Sequence, residues 1–380
     1  MTRSLDSRPG ARPETAAPTT LRRQLAELRG PEAAQRPLDA RALAALAANP
    51  GCRRRALLDG AGVDKASLAR ALGAQATFGQ SQFAFVRGHA FEARVKGDGG
   101  AELVRLLCGR LPGAEPPEAD AVDVPDLSAA GPEGRTARTA LALREATEAG
   151  RWALLDHPML SLTVAGTPAF LEPDAVIVHP DGDWTVVEIK SFAMVDGAAD
   201  SAKVGAAARQ AAVYALALEA LGGRVRPEAL LVCPKDFSNL PAAALVDVRR
   251  QLAATRRQLT RLERVADIAA ALPPGLSFAT DRPPAELAEA VGAVEAAYAP
   301  ECLAACELAF HCRERAREEG AVAVLGRGLR AELGDLTTVE AVRGAAVGAA
   351  PGEVGDPVVA ALRRAAGLRA EALSSAEELV

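Results

Sequence analysis

Apolar and polar positions are patterned most clearly between Leu171 and Phe192, LEPDAVIVHPDGDWTVVEIKSF. Two runs rich in β-branched residues, Ala175 to Val178 and Trp184 to Ile189, flank a His-Pro-Asp-Gly-Asp segment. Pro and Asp-Gly favour a turn, so the stretch predicts a β-hairpin. The period changes in Ala202 to Leu221, where Val204, Ala207, Ala211, Tyr214 and Leu218 recur at helical spacing until Gly222 and Gly223 close the run. A buried-type strand is expected at Ala229 to Val232, and a basic helix over Ala242 to Ala271. Upstream, helices are expected from Thr20, over Asp39 to Ala48, Ser67 to Leu72 and Arg135 to Glu148. Strands over Met159 to Ala165 and Pro168 to Leu171 lead into the hairpin. Strands interleaved with helices predict an α/β core.

Three stretches break this pattern. Residues 1–18 are Pro-, Thr- and Arg-rich without periodicity and read as a disordered tail. Residues 97–135 are rich in Gly, Pro and Asp around a short helical run, Leu103 to Leu111, and read as a loop-rich insertion within a domain spanning 19–320. Weak helical patterns at Val322 to Leu329, Val339 to Val347 and Val358 to Leu373 make 321–380 a helical appendage.

Composition narrows the classes. A chain of 380 residues with 49% apolar content can bury a full core. A net charge of −5 and a pI near 5.6 give no global basic field, so any nucleic-acid contact must rest on local clusters. Arg249, Arg250, Arg256, Arg257, Arg261 and Arg264 form one such cluster, and a solvated helix face explains the same run equally well. No apolar run approaches the roughly 20 residues that cross a bilayer, and the first residues lack the apolar core of a secretory signal. A cytoplasmic protein without membrane contact is expected. Six cysteines in such a chain point to metal ligation or burial rather than to disulfides.

The chemistry gathers at the hairpin. Asp174 opens its first strand; Glu188 and Lys190 end the second and, two apart, share a face. Two carboxylates and an ammonium at one sheet edge suffer repulsion and lost hydration, which a divalent cation relieves. Magnesium or manganese suits oxygen ligands from Asp174, Glu188 and the carbonyl of Ile189, and Lys190 can orient or deprotonate a metal-bound water. The plainer reading is a same-face ion pair on an exposed hairpin. Gln210 and Tyr214, four apart, share a helix face next to this edge, and His89 and Glu92 fall one helical turn apart upstream. A second signal is Cys302, Cys306 and Cys312, three of the six cysteines within eleven positions. Soft thiolates select iron-sulfur clusters or zinc. Cys52, after the turn Asn49-Pro50-Gly51, is the candidate fourth ligand, with His311 as a nitrogen alternative. Cys108 and Cys233 read as packing.

Pro173-Asp174 followed by Glu188-Ile189-Lys190 resembles the PD-(D/E)XK nuclease motif. Gln210-Ala-Ala-Val-Tyr214 is similar to the QxxxY element of its RecB-like branch, and Gly88-His89 stands where that branch carries a helix-borne histidine. Cys52 with Cys302, Cys306 and Cys312 resembles the four-cysteine arrangement of the members with an iron-sulfur cluster, the AddB-type nuclease domain and the CRISPR-adaptation exonucleases. Those families mostly space the last three cysteines C-x2-C-x5-C, whereas here three residues separate the first two. The resemblance implies a restriction-endonuclease-like core, a mixed central sheet flanked by helices, with helical N- and C-terminal extensions. It implies a metal-dependent deoxyribonuclease, an exonuclease or one directed to single strands or duplex ends. Asp174, Glu188, Ile189 and His89 would hold magnesium or manganese, with Lys190, Gln210 and Tyr214 in catalytic or supporting roles. The four cysteines would hold a four-iron four-sulfur cluster, zinc being the alternative. DNA would be the partner, alongside a helicase or a defence or recombination complex. Two other readings stay open: an inactive DNA-binding or assembly subunit of the same fold, and an iron-sulfur or zinc redox-sensing regulator.

Overall fold

The computed structural model describes residues 18–74, 82–236, 238–260, 264–348 and 356–377. The expected tail, apart from Pro18, lies outside these residues, as does Arg261. The described chain is α/β, with fifteen α-helices around a mixed sheet of parallel and antiparallel strands. The strands are β1 (Ala153–Asp156), β2 (Leu160–Val164), β3 (Thr167–Leu171), β4 (Ala175–Val178), β5 (Asp183–Ile189), β6 (Arg224–Val225), β7 (Glu228–Pro234) and β8 (Pro241–Asp247). The main sheet runs β1-β4-β5-β7-β8, with β6 pairing on β5. Helices α1 (Pro18–Arg29), α2 (Ala40–Ala48), α3 (Arg53–Ala61), α4 (Lys65–Ala71), α5 (Gln82–Val95), α6 (Ala101–Cys108) and α7 (Gly131–Ala149) precede the sheet. After β5 come α8 (Ser201–Ala220), α9 (Arg249–Leu259), α10 (Val265–Ala270), α11 (Pro284–Gly292), α12 (Ala309–Glu318), α13 (Arg327–Glu332), α14 (Val339–Val347) and α15 (Pro357–Glu377).

The β4–β5 hairpin forms where the pattern predicts it, with Ala175 opposite Val187 and Val178 opposite Trp184. Its alternation sorts two cores. Val176, Val178, Trp184 and Val186 face one way and pack with Ala208, Ala211, Tyr214 and Leu218 of α8. Ala175, Ile177, Val187 and Ile189 face the other way and pack with Phe91 and Val95 of α5 and Leu103, Val104 and Leu107 of α6. Within 97–135, then, α6 belongs to the core. Helix α8, capped by the Asp200 carboxylate on the Lys203 N–H, carries the chain from β5 back to β7, which pairs parallel with β5.

One expectation is corrected. The helix expected over Ala242 to Ala271 is a strand followed by two shorter helices, α9 and α10. Its alanine-rich start reads as helical by propensity, but the apolar β7 offers a seven-residue antiparallel ladder from Glu228 opposite Asp247 to Pro234 opposite Pro241, and that pairing overrides the local preference. The two strands expected before the hairpin form as β2 and β3, which pair with each other as a separate two-stranded sheet. Among the described residues, no helix is long and apolar enough to cross a membrane.

Candidate functional site

One step beyond the last rung of the β4–β5 ladder, Asp174 stands opposite Glu188. Directly opposed carboxylates repel across a strand pair, so this juxtaposition has a cost that other groups must offset. Lys190, two residues on and therefore on the same face, lies between them: its Nζ pairs with Glu188 Oε2 and is 3.6 Å from Asp174 Oδ2. Asp174 Oδ2 also accepts the Ile189 N–H at 2.6 Å. Extending the register a further step sets Pro173 opposite Ile189, and proline supplies no N–H to that residue's carbonyl. The Pro-Asp dipeptide thus replaces a ladder rung with a carboxylate while contributing no donor to the Ile189 oxygen.

Glu188 is the most unusual member. Its side chain is 2% exposed, and Oε1 is buried without a hydrogen-bond partner. Burial pushes its carboxyl up to about 7, against the pull of the Lys190 ammonium and with a further push from Asp174. Lys190 is moved the opposite way to a buried amine in isolation: desolvation favours its neutral form, but Glu188 and Asp174 together raise it above its ordinary value. A buried carboxylate oxygen with no donor, a neighbouring carboxylate and the Ile189 carbonyl make a donor set of hard oxygens, which fits a small divalent cation.

Gln210 and Tyr214 do meet on α8. Gln210 Nε2 donates to Tyr214 Oη at 3.0 Å, and that hydroxyl donates to the Glu172 carbonyl at 3.1 Å. Tyr214 is buried, and its hydroxyl is held well above its ordinary range by burial and the Glu188 carboxylate. The pair therefore fixes the segment entering Asp174; it is a positioning pair. His89 stands exposed on α5, on the opposite side of the sheet from α8. Its neighbour Gly88 passes close to Ser191, so the histidine lies near the end of β5. Among the described residues, no three His, Cys, Asp or Glu side chains close on a single ion-sized point, so His89 is not gathered with Asp174 and Glu188.

Sequence reasoning did not single out a second polar cluster beside Asp174. Lys96 Nζ bridges Glu92 at 2.7 Å, Asp156 at 2.6 Å and the Asp174 carbonyl at 2.8 Å, with His157 Nε2 at 3.1 Å. His157 Nε2 is also 2.9 Å from Glu92, and this contact, with Lys96, holds the Glu92 carboxyl down to about 2. Arg135 joins the His157 carbonyl to the Glu172 carboxylate at 2.9 and 2.7 Å. His157 has φ +44°, a backbone conformation uncommon outside glycine. The usable signals in the sequence are the Asp156-His157-Pro158 break between strands and the placing of Glu92 and Lys96 four apart.

The cysteines come into one neighbourhood, although among the described residues no three of them close on a single ion-sized point. Cys52 precedes α3, and Cys302 and Cys306 lie on a 3₁₀ turn and its exit, with the Cys306 N–H donating to the Cys302 carbonyl at 2.8 Å. Cys52, Cys302 and Cys306 line one cavity, and Cys312 on α12 lies within electrostatic range of Cys52, Cys302 and Cys306. None of the four is in a disulfide. Burial pushes Cys306 up to about 12 and raises Cys312, against the pull of Arg55 and Arg54 respectively. Arg54, itself 6% exposed, donates from Nη1 to Cys312 Sγ at 3.3 Å and from Nε to the Val294 carbonyl at 3.0 Å. Asn49 donates to Cys302 Sγ at 3.4 Å. Buried donors turned onto sulfur suit anionic thiolates such as those of a metal centre. By contrast, Cys108 and Cys233 are buried packing residues. His311 Nε2 is buried without a partner beside Cys312.

The basic run is partly neutralised. Arg249 pairs with Asp247 at 2.5 Å and Arg256 pairs with Glu219. No family model matches the chain, and neither does any curated protein or solved structure.

Proposed function

We propose that the chain is a metal-dependent nuclease with a PD-(D/E)XK-type core, cleaving phosphodiester bonds of DNA at a site built on the β4–β5 hairpin. The observation that carries this reading is the buried Glu188 carboxylate, opposed to Asp174, ion-paired to Lys190 and left with an orphaned oxygen. Asp174, Glu188 and the Ile189 carbonyl would hold magnesium or manganese. Such an ion supplies Lewis acidity toward a phosphate oxygen and lowers the pKa of a water. Lys190 keeps its proton through Glu188 and Asp174 and so orients the attacking water as a donor and favours negative charge developing at the phosphate. Tyr214 and Gln210 hold the Glu172 carbonyl and fix the approach of Asp174. Lys96, gripping the Asp174 carbonyl from the α5 side, does the same from the other face. His89, exposed on α5 near the strand end, would meet substrate. The four cysteines would hold a four-iron four-sulfur cluster joining α3 to the segment that enters α12, with zinc as the alternative that metal analysis distinguishes.

Cleavage of end-labelled single-stranded and duplex DNA tests this reading. The parent is expected to cut with magnesium or manganese and to stop in chelator. Lys190→Ala is expected to lose at least about 100-fold in rate, the usual scale for a group that handles the attacking water. A parent without cleavage on either substrate, or a Lys190→Ala variant as fast as the parent, would refute it.

A further inference from the structure

Helix α3 carries two adjacent buried arginines with different partners. Arg55 pairs with Asp59 at 2.9 Å; Asp59 also receives Lys65, and Lys65 is 3.8 Å from Glu307. Two cations and two anions there balance each other. Arg54 has no such balance. Among the described residues it pairs with no carboxylate, and its guanidinium donates to a backbone carbonyl and to Cys312 Sγ. A buried guanidinium without a counter-ion is strongly disfavoured, so its position makes physical sense when the sulfur it faces is anionic. Ligation to a metal would supply that thiolate. Asn49 repeats the arrangement at lower cost, a neutral amide donating to Cys302 Sγ and to the Ala297 carbonyl at 2.6 Å.

We infer that Arg54 and Asn49 are the electrostatic partners of a cluster bound by the cysteines, and that Arg54 sets its reduction potential. This rests on the cluster reading above and adds to it a specific role for two residues outside the ligand set. A four-iron cluster on four thiolates is a dianion when oxidised and gains another negative charge when it accepts one electron. A fixed positive charge and an N–H donor on sulfur stabilise the reduced form more than the oxidised form. Removing either moves the potential negative. Because the arginine contributes a full charge from a buried position and the asparagine only a dipole, Arg54 has the larger effect.

The test is potentiometric titration of the anaerobically reconstituted full chain with dithionite as the electron donor, followed by visible absorption and electron paramagnetic resonance. Arg54→Met is expected to shift the one-electron equilibrium toward the oxidised form by roughly ten-fold, a 59 mV negative move. Asn49→Ala is expected to shift it in the same direction by less. If Arg54→Met cannot be loaded with iron, the Asn49→Ala midpoint decides. Iron-loaded parent and variants sharing one midpoint would overturn the inference and leave the cluster intact. A parent that takes up no iron would overturn the cluster reading itself, and this inference with it.

Discussion

A glutamate is charged in most proteins at neutral pH, but here burial raises the Glu188 carboxyl from 4.5 to about 7 despite Lys190. The folded metal-free protein therefore binds that proton more tightly than the unfolded chain does. The sign follows from linkage: this contribution to stability is fully present below about pH 4.5 and is lost as pH rises through about 7. At 1.36 kcal/mol per pKa unit the loss reaches at most about 3 kcal/mol. Denaturant unfolding of metal-free protein across this range is expected to show the decline in the parent and its absence in Glu188→Gln, which cannot titrate. Parallel pH profiles for the two would show that Glu188 is not the buried acid described above. The same residue explains why the site was legible in sequence. Asp174, Glu188 and Lys190 lie within one hairpin, and period-two alternation alone puts the last two on one face. Lys96 and His157 were not legible, because their meeting at Asp174 joins a helix to a strand end 61 residues away.

At the scale of elements, the end of α8 shows how tightly the hairpin is held. The Trp184 indole donates to the Thr147 hydroxyl at 2.9 Å and lies under the backbone of Gly223, where a Cβ would fall 1.9 Å from the ring. Gly223→Ala must push the buried ring aside, and overpacking of this kind costs about 1–3 kcal/mol. Urea unfolding is the measurement, and an unchanged midpoint would show that the ring moves freely. Gly223 appears in the sequence simply as a helix stop, so its close approach to Trp184 was hidden. Elements whose pattern is local and strong, the hairpin and α8, were read correctly. The strand β8 was not, since alanine-rich Pro241 to Asp247 becomes a strand only by lying against β7.

On the whole-molecule scale, Cys52 and Cys302 are separated by about 250 residues of chain, and both sheets and the proposed active site lie between them. A centre bound by both ends closes that loop, which adds stability through the unfolded chain. Cys52→Ser is therefore expected to lose sulfur-to-iron absorption and to melt at least a few degrees lower, on a scale of roughly 2–4 °C per kcal/mol. A variant with the parent's spectrum and melting temperature would remove Cys52 from the ligand set. The sequence spacing suggested this set, but only the fold reveals Arg54 and Asn49 turned toward it. The proposal central to the hairpin is that its buried carboxylate binds a cation. Manganese titration followed by electron paramagnetic resonance reads this most directly: saturable binding is expected in the parent, lost in Glu188→Gln and weakened in Asp174→Asn. Equal binding by all three proteins would contradict it.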